Sequence, residues 1–155
     1  MKVLRFFVRQ RVLKLERALW RRLACCLLQE MLAHGDYQLG VHFVGATEMA
    51  RLNETFLGHQ GSTDVITFNH QEKGDPRHLY GEIFISVDDA VIQARQFRAC
   101  LPSELTRYLI HGVLHLEGFD DGSPASRRAM KRRENSLLKE LSGRFDLGRL
   151  ARLWH

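Results

Sequence analysis

With 155 residues, 45% apolar and 26% charged, the chain has the composition of one globular domain that can bury its own core, which excludes the charge-biased make-up of disordered proteins. Its apolar runs, such as 23–28 and 113–116, fall far short of the roughly 20 residues of a membrane span, and the basic residues scattered through 1–15 exclude a secretory leader and predict a cytoplasmic protein. The net charge of +5 favours polyanionic partners, while Cys25, Cys26 and Cys100 have no disulfide or thiolate-metal spacing and read as buried small apolar residues.

Val3 to Val8 reads as a first strand. From about Val12 to Ala33, Leu13, Leu19, Leu23, Cys26, Leu27 and Met31 recur at helical spacing until Gly35 and Asp36 break the run. Leu39, Val41 and Phe43 alternate as a strand does, and Thr47 is expected to cap a helix with Met49, Leu52 and Phe56 on one face. After a loop at 58–62, Val65 to Phe68 and Glu82 to Ser86 form two β-rich runs joined by a polar stretch containing Gly74, Asp75 and Pro76, which predicts an antiparallel pair. Helical patterns then occupy Asp88 to Phe97, Ser103 to about Glu117, and Ser126 to Leu141, the last announced by Ser123 and Pro124. The order β-α-β-α-β-β-α-α-α predicts an α+β single domain over 1–155, a small mixed sheet of about four strands covered by about five helices.

His111 and His115 lie four apart in a helical segment, so their imidazoles project from one face. Gly118 suits a left-handed helix end, after which the chain reverses and brings Asp120 and Asp121 back toward that face. Core histidines are the ordinary reading of His-x-x-x-His; the glycine turn and the aspartates reverse it. Two imidazoles and the Asp121 carboxylate form a catalytic zinc set with one position left for water, and Asp120 reads as a solvated turn residue. A carboxylate instead of a third imidazole lowers the site's net charge, which predicts a less acidic water at the ion. A His-Glu-x-x-His metalloprotease needs a Glu after the first histidine, where this chain has Gly112, and Glu117 falls off the ligand face toward solvent. In the last helix Arg127, Arg128, Lys131, Arg132 and Arg133 form a basic face that reads first as solvated, while Glu134 falls on the apolar stripe and needs a partner such as a ligand histidine's free N–H.

The segment from His111 to Asp121, HGVLHLEGFDD, resembles the signature of the YbeY family, bacterial endoribonucleases acting in ribosomal RNA maturation. Asn53 with Phe56, the run Ser62 to Phe68, the run Gly81 to Ser86, and Glu104-Leu105 extend the likeness over roughly Val41 to Leu141. The resemblance implies one zinc ion on His111 and His115, with Asp121 where many members carry a third histidine. It also implies single-strand-specific cleavage in 16S rRNA 3′-end maturation and ribosome quality control, with a ribosomal RNA precursor and the ribosome or ribosomal proteins as partners. Leu57 stands where the family usually has an arginine facing phosphate, so that contact falls to His59, Arg51 or Arg77; Ser62 stands where a proline is usual. A metal-dependent peptidase or amidase and a non-catalytic ribosome assembly factor with a structural metal are the competing readings.

Overall fold

The computed structural model describes residues 1–71 and 78–154. In strand β3 (Tyr37–Val44) the side chains of Tyr37, Leu39, Val41 and Phe43 share one face and are inaccessible, as the alternation of a pleated strand packed on its core side requires. Strand β1 (Lys2–Arg9) runs parallel along one side of β3 and β5 (Leu79–Ser86) parallel along the other. Strand β4 (Val65–Asn69) pairs antiparallel with β5, giving the mixed order β1-β3-β5-β4 and the hairpin expected from the sequence.

Five α-helices cover this sheet among the described residues: α1 (Arg17–Cys25), α2 (Ala46–Leu57), α3 (Val87–Gln96), α4 (Leu101–Leu116) and α5 (Pro124–Arg144). The main core joins Leu39, Val41 and Phe43 to Trp20 and Leu23 of α1, Leu109 and Val113 of α4, and Leu137 and Leu141 of α5. Each such side chain contributes about 1.5–3 kcal/mol on burial. A smaller cluster of Val44, Met49, Ile66 and Phe84 lies under α2 on the opposite face.

Helix α4 is the central support of the molecule, packed on β4, β5, α3 and α5. It approaches the sheet so closely that a Cβ at Gly112 would lie 2.6 Å from Cγ2 of Ile83. A side chain at 112 would have to displace Ile83.

The structure corrects several local expectations. Residues 12–15 are not helical: β2 (Leu13–Leu15) pairs antiparallel with β6 (Ala151–Leu153), a long-range partner invisible to local spacing. The helical run that follows begins at Arg17 and winds into a π-helix at Cys26–Met31. Helix α2 starts one residue before Thr47, with Gly45 as its N-cap, and Asp88 accepts the Ala46 N–H at 2.6 Å, doing from α3 what the Thr47 hydroxyl was expected to do. Phe56 is 62% exposed and meets the edge of Phe68, and of the cysteines expected to be buried Cys26 is, Cys25 is half-buried, and Cys100, at the start of α4, is exposed.

Candidate metal centre and its cleft

Helix α4 ends in two hydrogen bonds that fix the turn behind it. The Gly118 N–H donates to the His115 carbonyl and the Phe119 N–H to the Leu114 carbonyl, each at 3.0 Å, with Gly118 at φ +104°. This is the paired closure that a left-handed glycine allows. Phe119 then packs against the core, and Asp121 returns over the helix face. As a result His111, His115 and Asp121 each present a ligand atom within 4.8 Å of the other two. Nε2 of His115 lies 3.0 Å from Nε2 of His111 and 3.5 Å from the Asp121 carboxylate. The two imidazoles are half-buried and the carboxylate is 52% exposed, so the group opens to solvent on one side.

The donor set fits a single divalent cation. Two nitrogens bound to tetrahedral zinc at about 2.0–2.1 Å stand roughly 3.3 Å apart, close to the separation here. Glu134 of α5, 6% exposed, takes the Nδ1 side of His111 in a very short contact. That puts the proton on Nδ1 and leaves the Nε2 lone pair facing the site. Burial is the largest influence on His111 and disfavours its charged form, but the hydrogen bond and charge of Glu134, with Asp64 and Asp121 behind, outweigh it and hold the imidazole above its ordinary value. Arg107 lies 3.5 Å from the second Glu134 oxygen and donates to Asn135 at 2.8 Å. Arg127 donates to the backbone carbonyl of Asp121 at 3.3 Å, tying the ligand turn to α5.

The neighbouring acids take no part. Asp120 accepts the Gly122 N–H at 2.8 Å in a local turn, and Glu117 is exposed and pairs with His34 at 2.8 Å. The absence of a carboxylate at 112 also has its cause, since Ile83 occupies that space.

A cleft of about 500 Å³ opens beside His111 between the start of β4, the end of α3, and helices α4 and α5. Its cations are Arg107, Arg127 and Lys131; Asp64, Glu104 and Tyr108 line it as well. Of the three residues suggested for phosphate contact, Arg51 on α2 and His59 in the following loop are exposed and do not line this cleft, and Arg77 lies outside the described residues. Sequence reading missed Arg107, Tyr108, Glu104 and Asp64. A signal existed for three of them: 104, 107, 108, 111 and 115 follow one another at helical spacing and so share the face of α4 that carries the histidines.

Fold and site define a class, an α+β domain with two histidines at the end of a buried helix and a carboxylate in the turn behind it, able to hold one metal ion. A family model described as Endoribonuclease YbeY matches residues 8–142. Relatives named Endoribonuclease YbeY include one from Chlorobaculum parvum, 41% identical over 65% of this chain and 70% of its own, and one from Anaeromyxobacter sp., 38% identical over 70% of this chain and 56% of its own. The solution structure of TM1509 from Thermotoga maritima superposes with a TM-score of 0.67 at 28% identity, covering 92% of this chain and 91% of that one. The chain belongs to the YbeY family. No helix among the described residues is long and apolar enough to cross a membrane.

Proposed function

We propose that this protein is a zinc-dependent endoribonuclease that cuts single-stranded RNA in the cytoplasm, its substrate a ribosomal RNA precursor at the 3′ end of 16S rRNA, and that it serves ribosome quality control in contact with the ribosome or ribosomal proteins. The observation that carries the reading is the contact between Glu134 and His111. A carboxylate on an apolar helix face is costly unless it is partnered, and here it orients an imidazole within a group of three ligand residues. Family membership supports RNA as the substrate class.

When bound to His111, His115 and Asp121, one Zn²⁺ supplies Lewis acidity toward a phosphoryl oxygen and makes water a stronger nucleophile near neutral pH. Glu134 keeps the His111 proton on Nδ1. Arg107, Arg127 and Lys131 draw the phosphate backbone to the metal side of the cleft. Arg51 and His59 extend that contact outside the cleft, with Arg77 as a third cation, in place of the cation that Leu57 does not provide. A peptidase or amidase reading lacks a general base after His111, and Gly112 has no room for one.

The test is cleavage of a labelled single-stranded 16S precursor by the zinc-loaded chain, beside a casein control. Endonucleolytic products that vanish with a chelator and in His115→Ala are expected. Persistence of cleavage in His115→Ala would assign the products to a contaminant. Intact RNA with every divalent metal tried would leave the assembly-factor reading, which Leu57 favours.

A further inference from the structure

Helix α5 carries its charge in a way that works against the helix. Arg127 and Lys131 lie four apart, as do Arg128 and Arg132, and like charges at that spacing repel. The first turn holds no acid to offset the positive end of the helix dipole, and Arg127 stands at the close of that turn. Between Pro124 and Lys139 the one acid is Glu134, which is turned to His111 and Arg107. All four cations are exposed, and none joins an ion pair among the described residues. Arg127 has a hydrogen bond to the Asp121 carbonyl. A face that was solvated and nothing more would ordinarily mix the two signs.

The four cations stand in two rows. Arg127 and Lys131 form the lip of the cleft that also holds His111 and Asp121. Arg128 and Arg132 lie about 100° further round the helix, on the crest turned from the core stripe of Met130, Leu137 and Leu141. They carry the charge of the lip outward over α5. No large apolar side chain of α5 is exposed, so the patch lacks the apolar or aromatic anchor on which a protein partner would centre. The helix has no aromatic ring on which a base could stack. What it offers is charge alone, spaced roughly 5–6 Å along each row. A phosphate backbone is the partner that fits such a surface.

We propose that Arg128 and Arg132 form, with Arg127 and Lys131, a track on which the RNA strand leaves the metal cleft and crosses the outside of α5, held by its phosphates without regard to base. One phosphate sits at the lip and the next against the crest. The protein therefore favours RNA that extends past the cleft over RNA that ends within it. The inference rests on the ribonuclease reading above and adds where the strand runs outside the cleft.

The test compares the full zinc-loaded chain with the double variant Arg128→Gln, Arg132→Gln in anisotropy titrations against labelled 2′-O-methyl RNAs, which are not cut. Loss of two phosphate contacts should make the slope of log K against log salt shallower by about 1.4, and should weaken binding of an RNA of about 12 nucleotides about tenfold at low salt, whatever its bases. An RNA of about 4 nucleotides, which the cleft alone can hold, should lose less than about twofold. In urea unfolding the double variant should match or exceed wild type, because the repulsion is gone. An unchanged slope, an equal loss on short and long RNA, or a destabilised variant overturns the track. Long RNA bound with the expected salt signature, whose cleavable version stays intact with every divalent metal tried, overturns the ribonuclease reading and leaves the track standing.

Discussion

Glu134 offers the sharpest test of the site, because it touches no metal and yet should govern metal binding. Its side chain is 7% exposed and that of His111 30%, and the carboxylate also faces Arg107 at 3.5 Å. Removing the partner that orients a ligand imidazole typically costs 10- to 100-fold in metal affinity, or about 1.4–2.7 kcal/mol. Glu134→Gln keeps an oxygen that can accept from Nδ1 but loses the charge, so it belongs at about tenfold. Glu134→Ala loses both and belongs near 100-fold. The metal-free fold should also suffer, since a buried pair broken on one side costs about 3–5 kcal/mol and the partial exposure of His111 reduces that to about 2. Competition against a chromophoric chelator gives the zinc affinity, and urea unfolding with excess chelator gives the stability. Zinc binding by Glu134→Ala within twofold of wild type would refute the claim that this carboxylate organises the centre.

Gly112→Ala reverses the ordinary rule for helices. Alanine in an exposed helix interior gains about 1 kcal/mol over glycine, but here the new methyl meets Ile83, so a loss of about 1–3 kcal/mol in thermal or urea unfolding is expected. In Asp121→His a neutral ligand replaces an anion, and the acid limb of the pH-rate profile should move to lower pH; superimposable limbs would show that Asp121 does not tune the site. His42 is stacked between Phe7 and Phe84 at 4.5 and 4.1 Å, and burial holds its pKa below the ordinary value of 6.5. The unfolded chain therefore binds that proton more readily, so the contribution of neutral His42 is complete above pH 6.5 and is lost as the pH falls below it. His111 has the opposite sign, its contribution being complete below pH 6.5 and lost as the pH rises through its higher folded value. Urea unfolding at pH 7.5 and 5.5 should show a smaller acid loss in His42→Gln than in wild type, and an equal loss would place the effect elsewhere.

How much could be read from the sequence depended on how local the cause was. His111, His115 and Asp121 come from one short span, and helical spacing with a glycine turn is enough to gather them. Glu134 was legible because a lone carboxylate on an apolar stripe demands a partner, and it has one. The strand around Val41 announced itself by alternation and the one around Ile83 by its β-rich composition. Leu13 to Leu15 did not, because the partner that makes them a strand lies near residue 152. Thr47 looked like a cap because the competing acceptor, Asp88, sits on another helix. The cleft was least visible of all. Asp64, Phe97 and Lys131 come from three separate stretches of the chain that only packing brings together.

The ribbon of β2 and β6 ties residues 13–15 to 151–153, and the Leu150 carbonyl between them takes hydrogen bonds from the Glu16 amide at 2.9 Å and the Trp20 indole at 3.1 Å. Contacts of such long range form late, after the chain entropy they require has been lost. On a translating ribosome the ligand histidines emerge well before Glu134 and before the strand that anchors α1. A nascent chain stopped between them carries three loose ion-binding groups with nothing to aim them. Competence to grip metal therefore waits on the emergence of α5 and β6, together with the closure of the ribbon.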